Sequence, residues 1–312
     1  MTNASLKGRD LLSLGDLTPS ELTGLLDLAV EQKASWASGV REQPLTGRAV
    51  ALIFQKPSMR TRVSFELACT RLGAHPVVLS GADTAFSRGE TTHDTTKVLE
   101  RYVDCICIRT FDQSFVREIA DFAGVPVVNM LTDEHHPCQG LADLLTIRER
   151  FGHLAGLRLV YVGDGNNMAH TYLLGGALAG MHVAVATPEG YECDAGVIAQ
   201  ARGIAATTGG TIRISTDPAE AVADANIVTT DTWASMGQEE EHAERMAVFE
   251  SFKVTPELMA FAASDAVFMH CLPAHRGEEV LDEVIDAPYS VIFDEAENRL
   301  HAQKALLSAL LG

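Results

Sequence analysis

Short apolar runs alternate with helix-length stretches along almost the whole chain, and this alternation restricts the fold more than any other feature. Runs such as Val50-Ala51-Leu52-Ile53-Phe54 and Ala266-Val267-Phe268-Met269 are too short for buried helices and are bounded by turn-forming or polar residues, so they read as strands. The pattern predicts strands at 49–54, 76–80, 103–108 and 125–130, with helices near 62–73, 91–102 and 113–123 between them. An earlier helix is announced by Thr18-Pro19-Ser20-Glu21, which supplies an N-cap, a first-turn proline and a glutamate at the third helical position. That helix should run to about Ala37. After a helix over Gln139 to Phe151 comes a second series, with strands at 157–162, 181–186, 211–214, 226–230, 266–270 and 290–294. Its helices fall near 167–179, 191–206, 218–224, 256–263 and 297–311. Strands that alternate with helices of this length form parallel sheets covered on both faces. The expected fold class is α/β, with two doubly wound parallel-sheet domains, 1–148 and 149–296, joined by a hinge helix near 139–151.

With 312 residues, 46% of them hydrophobic and 21% charged, either half can bury a substantial core and disorder is not expected. The net charge of −18 disfavours nonspecific binding to nucleic acid or to an anionic membrane, so any anionic ligand must be gripped locally. Met1 to Asp10 shows neither a secretory nor a transit pattern, and no apolar run approaches the roughly 18 residues of a membrane span. The expected compartment is the cytoplasm, with no nucleic-acid or membrane partner. Six cysteines, at 69, 105, 107, 138, 193 and 271, lack the paired spacing of a zinc site or a disulfide framework. Cys105 and Cys107 alternate along Val103 to Ile108, which fits one face of a packed strand.

Chemistry is expected where strands end. His270-Cys271-Leu272-Pro273 puts an imidazole, a thiol and a turn-forming proline directly after an apolar run, at the carboxyl edge of a sheet, where open α/β folds bind small molecules. Val50 to Phe54 is followed by Gln55-Lys56-Pro57-Ser58-Met59-Arg60-Thr61-Arg62, a composition suited to gripping phosphate. By contrast, Gly163-Asp164-Gly165-Asn166-Asn167-Met168 only imitates a dinucleotide fingerprint. Met168 replaces the third glycine, and the next strand ends Ala186-Thr187-Pro188 without a carboxylate for a ribose, so no nicotinamide cofactor is expected. His270, Cys271 and His275 have no ligand spacing, and no metal is expected there.

Ser58-Met59-Arg60-Thr61-Arg62 resembles the Ser-Thr-Arg-Thr-Arg carbamoyl phosphate loop of the aspartate and ornithine carbamoyltransferases. Ile108-Arg109-Thr110-Phe111, His136-Pro137-Cys138-Gln139, His270-Cys271-Leu272-Pro273 and Glu297-Asn298-Arg299 resemble other motifs of that family, in the same order. Asp231-Thr232-Trp233-Ala234-Ser235-Met236-Gly237 is similar to the Ser-Met-Gly loop of its ornithine-specific members, and Cys271 before Leu272 points the same way. The match runs from about residue 8 to the end of the chain.

The resemblance implies carbamoyl transfer from carbamoyl phosphate to the δ-amine of L-ornithine by a homotrimer or a multiple of trimers, with no cofactor. It makes the first domain the carbamoyl phosphate-binding one, rejoined by the helix over 297–312, and the second the ornithine-binding one. Carbamoyl phosphate would be held by Ser58, Met59, Arg60, Thr61, Arg109, His136, Gln139, Cys271, Leu272 and Arg299. Ornithine would be held by Asn167, Asp231, Ser235 and Met236, and the catalytic set would be Arg109, His136 and Cys271. The grouping suits a ligand with about two negative charges and a carbonyl oxygen that gains charge during the reaction. Cys271 could serve as base, hydrogen-bond partner or steric guide. Two positions depart from the family pattern. Met59 stands where threonine is usual, and Ala85 stands where many relatives offer a glutamine to the neighbouring subunit, a role Ser87 or Arg88 would have to take. Two alternatives stay open: a carbamoyltransferase for putrescine, aspartate or an N-acylated ornithine, and a catalytically idle metabolite-binding protein. The idle protein would have no need to keep Arg60, Arg109, His136 and Gln139 together.

Overall fold

The computed structural model describes residues 6–81, 89–234 and 242–312, which divide into two compact units, Met1–Leu145 with Glu297–Gly312 and Thr146–Ala296. In the first unit, helix α1 (Pro19–Ala37) starts as its sequence requires, with Thr18 as N-cap and Glu21 closing the capping box. A four-stranded, all-parallel sheet follows, built from β1 (Ala49–Phe54), β2 (His75–Ser80), β3 (Cys105–Arg109) and β4 (Val127–Leu131) in the order β2-β1-β3-β4. The helices between them are α2 (Met59–Leu72), α3 (Thr92–Leu99) and α4 (Gln113–Phe122). Every residue of β3 is buried, because a parallel strand covered on both faces has no solvent side to alternate with. Cys105 and Cys107 therefore behave as small core residues, their sulfurs 3.8 Å apart on one face of the strand.

Helix α5 (Pro137–Phe151) carries the chain from the first unit into the second. There the sheet is again wholly parallel, with β5 (Arg158–Val162), β6 (His182–Ala186), β7 (Thr211–Ser215), β8 (Ile227–Thr230) and β9 (Val267–His270) in the order β7-β6-β5-β8-β9. Its helices are α6 (Asn167–Leu178), α7 (Ala195–Thr208), α8 (Pro218–Val222), α9 (His242–Phe249), α10 (Pro256–Met259) and α11 (Asp282–Ile285). The last helix, α12 (Ile292–Leu311), begins in the second unit and ends in the first. A core of Val160, Val162, Val228, Trp233, Phe249, Phe252, Phe268 and Ile292, among others, fills one side of the second sheet.

One expected strand is not formed. Residues 290–294 contribute an isolated bridge, Phe268 to Ser290, and then turn helical at Ile292. The apolar run Val291-Ile292-Phe293 is only three residues long and is followed by Asp294 and Glu295, acidic residues that favour the first turn of a helix. Glu295 is fully buried and accepts the His270 backbone N–H at 2.8 Å, a bond that fixes the helix start beside β9. Helices α9 and α11 were not anticipated, and α7 begins four residues after its expected start, where Asp194 caps the amides of Gly196 and Val197.

Both sheets have the strand order that opens a crevice at a reversal of chain direction, between β1 and β3 in the first unit and between β5 and β8 in the second. The sequence motifs singled out above follow these strands.

Candidate active site

In the first unit the loop after β1 delivers Ser58 as the N-cap of α2, its Oγ accepting the Thr61 N–H at 3.2 Å. The Thr61 amide is thus satisfied by the cap and is not free for a ligand. Met59 and Arg60 remain in the first turn, where an α-helix leaves its amides without an intrahelical acceptor. The Met59 side chain is 73% exposed, so nothing in the core depends on it. Arg60 has its Nε buried with no hydrogen-bond partner. Such an atom is costly unless a ligand completes it.

Arg109 closes β3 at a bulge. Ile108 pairs with Asn129, but Arg109 pairs with Leu131, and a bulge of this kind re-aims the side chain beside it. His136 and Gln139 come from the start of α5, and the His136 carbonyl accepts the N–H of Gln139 and of Gly140. Arg299 arrives on α12 and binds the cluster together, donating to Gln139 Oε1 at 2.9 Å and to Thr61 Oγ1 at 2.6 Å. Gln139 in turn donates to Asp143 at 2.7 Å, and all four of these groups are buried. The electrostatics follow from this crowding. Burial, then the guanidinium groups of Arg299, Arg109 and Arg60, hold the His136 imidazole well below its ordinary pKa. His136 is therefore a neutral donor among three permanent cations, an arrangement that costs free energy until an anion enters.

Lys56 was not selected from the sequence, yet it is buried, stacks over the Phe111 ring at 4.3 Å and is paired with Asp133. Its place directly before Pro57, in the segment already read as a phosphate grip, was the available signal.

The second unit assembles an acidic cluster instead. Asp231, at the end of β8, is 9% exposed. It accepts from Asn166 Nδ2 at 3.1 Å, from the Thr232 N–H at 2.8 Å and from the Cys271 thiol at 3.2 Å. Its partners among the described residues are all neutral, which suits a carboxylate that awaits a cationic ligand. Asn166, which the sequence reading passed over for Asn167, is the N-cap of α6 and serves both the helix and Asp231. Asn167 is the first residue of that helix. Ser235 and Met236 lie outside the described residues, as do Ala85, Ser87 and Arg88.

The glycines of the false dinucleotide motif have a packing reason. A Cβ on Gly165 would sit 2.4 Å from the Cys193 nitrogen, so only glycine lets this loop meet the 191–193 backbone. Asp164 beside it is ion-paired with buried Arg245 at 2.9 Å, and Arg245 also donates to the Trp233 carbonyl. Five of the six cysteines are buried, and Cys271 alone is partly accessible. Burial pushes the Cys69, Cys138 and Cys193 thiols up to about 12, which leaves them inert.

Leu272, next to Cys271, has φ of 57°, a left-handed conformation uncommon for a branched side chain, and is held there. Its N–H donates to His270 Nδ1 at 2.9 Å, so the opposite ring nitrogen carries the proton and donates to Glu279 Oε1 at 3.1 Å. The same oxygen accepts the His275 N–H at 2.6 Å. Donor atoms of Asp231, His270 and Cys271 lie within 4.8 Å of one another, but both imidazole nitrogens of His270 are already engaged, which removes it as a ready metal ligand. Glu279 was missed in the sequence because nothing in Gly277-Glu278-Glu279-Val280 distinguishes a fully buried acid from a surface one.

The chain is similar to known proteins along nearly its whole length. The family model described as aspartate/ornithine carbamoyltransferase, carbamoyl-P binding domain, matches residues 9–149, and the one described as the Asp/Orn binding domain matches residues 155–310. Ornithine carbamoyltransferase from Symbiobacterium thermophilum is 54% identical over 98% of this chain and 99% of its own length. That from Anoxybacillus flavithermus is 55% identical over 98% of each. Among solved structures, ornithine carbamoyltransferase from Pyrococcus furiosus superposes with a TM-score of 0.96 at 51% identity, covering 98% of both chains. The Gloeobacter violaceus enzyme gives 0.89 at 50% identity, covering 98% of this chain and 99% of its own. With motifs, fold and matches in agreement over nearly every residue, the chain belongs to the aspartate/ornithine carbamoyltransferase family.

Proposed function

We propose that the protein is an ornithine carbamoyltransferase, which transfers the carbamoyl group of carbamoyl phosphate to the δ-amine of L-ornithine and releases L-citrulline and phosphate. The observation that carries this reading is the buried neutral imidazole of His136 beside Arg60, Arg109 and Arg299. It has the charge for a phosphate and an uncharged donor for a carbonyl oxygen. The relatives named ornithine carbamoyltransferase, at 54–55% identity, support the choice of amine. A relative from Pyrococcus furiosus named as the anabolic enzyme, 52% identical, supports a role in arginine biosynthesis.

Carbamoyl phosphate is assigned to the first unit, with Ser58, Met59, Arg60, Thr61, His136, Gln139 and Arg299 around it and Arg109 reaching the phosphate and the carbonyl oxygen. Charge developing on that oxygen in the tetrahedral intermediate is stabilised by donors already in place. Ornithine is assigned to the second unit, where the buried carboxylate of Asp231 meets an ammonium group and where Asn167, Ser235 and Met236 complete the site. The amine lone pair attacks the carbonyl carbon, the C–N bond forms, and phosphate leaves with the electrons of the C–O bond and takes up the proton that nitrogen loses. Cys271, whose thiol donates to Asp231, acts as a hydrogen-bond partner at this site. No helix among the described residues is long and apolar enough to cross a membrane. The assembly is a homotrimer or a multiple of trimers, and the compartment is the cytoplasm.

A colorimetric citrulline assay with ornithine, putrescine, aspartate and N-acetylornithine from pH 6.5 to 9.5 tests the reading. The δ-amine, with a pKa near 10.4, is neutral in only about one molecule in 2,500 at pH 7, so the rate at subsaturating ornithine should climb above neutrality. A higher specificity constant for any of the other amines overturns the substrate, and no carbamoyl product with any amine overturns the reaction.

A further inference from the structure

A parallel sheet in an α/β fold is normally covered on both faces, but one face of the second sheet is covered over only part of its length. Alternate residues of a strand share a face. In register across β5, β6 and β7, Arg158, His182 and Thr211 form one row on this face, and Val160, Ala184 and Arg213 form the next. The opposite face is taken by α6, where Gly176 meets Val183. On the face of the two rows the covering element is α8, whose Ala221 joins the core with Val160 and Ala184. A helix of its length spans about 7.5 Å, against about 16 Å for strands of the length of β5, β6 and β7. The amino ends of the three strands are therefore left open as a hollow of about 370 Å³, with Ala221 and Ala223 on one wall. That volume lies within the range of small-molecule sites, about 300 to 1,000 Å³.

The charged groups at this hollow decide what it can hold. Arg213 is paired with Glu220 of α8 at 2.6 Å and is neutralised there. The Arg158 pair is loose, at 3.9 Å from Asp224, a carboxylate 87% exposed, and a surface pair of that kind contributes almost nothing. His182 Nδ1 stands 3.0 Å from Thr211 Oγ1, which leaves Nε2 as the ring nitrogen for a ligand. We propose that the hollow binds a compact organic anion, an apolar body carrying one carboxylate or sulfonate. The body rests on Val160, Ala184 and Ala221, and the anionic group takes the Arg158 guanidinium, with His182 as second donor. An inorganic anion would leave the apolar floor wet, and a phosphate ester would bring more charge than Arg158 alone can match. The site stands apart from carbamoyl transfer, since Asp231 and Cys271 follow the carboxyl ends of β8 and β9 while the hollow lies at the amino ends of β5, β6 and β7.

The test uses the full-length protein and 8-anilinonaphthalene-1-sulfonate, an apolar anion whose fluorescence rises when it leaves water. It should bind at one molecule per chain with a micromolar dissociation constant, and saturating carbamoyl phosphate and ornithine should not displace it. Arg158→Gln should weaken binding about fivefold or more, as the loss of a hydrogen bond to a charged group does. Ala184→Leu, which grows into the hollow from its floor, should abolish it. Both variants should form citrulline at the ordinary rate, because neither residue belongs to the site of carbamoyl transfer. Arg202→Gln removes the same charge from an exposed position on α7 and should leave binding unchanged. N-phenyl-1-naphthylamine, the same body without the sulfonate, should bind at least about fivefold more weakly. No binding at micromolar concentration overturns the proposal, as does displacement by carbamoyl phosphate, which puts the probe in the active site. Binding untouched by both Arg158→Gln and Ala184→Leu overturns it too, as does an equal loss in Arg202→Gln or equal binding of the neutral amine.

Discussion

The first unit's site and the second unit's site meet opposite charges by different physical means. Around His136 the protein accumulates permanent cations, and the discomfort is visible as a depressed imidazole pKa and an unpartnered Arg60 nitrogen. Around Asp231 it places a carboxylate and surrounds it with neutral donors from Asn166, Thr232 and Cys271. A multiply charged phosphate can repay the crowding of three guanidinium groups, whereas an amino acid with one reacting amine has to be oriented more than it has to be gripped. The first site should therefore fail through the loss of a cation, and the second both through the loss of its carboxylate and through displacement of the loop that orients it.

The largest effect should come from the cations. Arg109→Ala or Arg60→Ala removes a charge-assisted contact to the phosphate and should cost on the order of 3 kcal/mol or more of transition-state stabilisation, roughly a hundredfold or greater loss in kcat/KM. Near-normal citrulline formation by either variant would take the cluster out of the active site. Next comes Asp231→Asn, which keeps the shape but removes the carboxylate assigned to the amine. Its cost should be about 2 to 5 kcal/mol, or roughly 30- to 5,000-fold, appearing as a lower kcat/KM for ornithine. Direct binding of carbamoyl phosphate, measured by calorimetry, should barely change. If both substitutions weakened both substrates equally, the division of labour between the two units would be wrong.

This division was more legible in the first site than in the second. Arg60, Arg109, His136, Gln139 and Arg299 could be named from motifs because permanent charge and strand-end position are both written in the sequence. Lys56, Asn166, Arg245 and Glu279 were missed because their roles come from burial and partners, and neither shows in residue identity. The fold was similarly uneven. Strands buried on both faces are unmistakable apolar runs, but the start of α12 reads as a strand in the sequence. Its boundary is set by the bond from the His270 N–H to Glu295, a contact across 25 positions of sequence that no local pattern encodes.

A smaller but more selective perturbation is Gly165→Ala. The added methyl would meet the backbone at 2.4 Å, which cannot yield as a flexible side chain would, so the loop carrying Asn166 must move. Overpacking of this kind typically costs about 1 to 3 kcal/mol, and for this chain the variant should melt lower and bind ornithine more weakly while carbamoyl phosphate binding survives. The reverse contrast comes from pH. His136 is held neutral in the folded protein, and so is His301, by burial first and then by Lys33. With folded pKa values below the unfolded reference of about 6.5, the stability these groups contribute is complete above that pH. It is lost as pH falls from there toward the depressed values, since the unfolded chain takes up the protons first. Denaturant unfolding from pH 7.5 to 5 should show that decline, and His136→Gln should flatten it. An unchanged slope in the variant would mean that His136 is not held neutral by its surroundings.

The smallest expected effect is at the one departure within the phosphate loop. Met59 replaces the threonine usual in the family, and a lost hydroxyl contact to phosphate should matter if side chains dominate this end of the site. The structure favours the backbone. Met59 is the first residue of α2, its N–H belongs to the set that a helix start leaves for a ligand, and its side chain is largely in solvent. Met59→Thr keeps that N–H and adds a hydroxyl whose net worth in a wet site is about 1 kcal/mol. The KM for carbamoyl phosphate should then shift by less than about tenfold, with kcat nearly unchanged. A larger gain would show that the hydroxyl is a main contact and that this chain binds its phosphate through guanidinium groups to make up for the loss. In that event Arg60→Ala should be far less damaging in the Met59→Thr background than alone, and a double-mutant cycle on the two positions measures the difference.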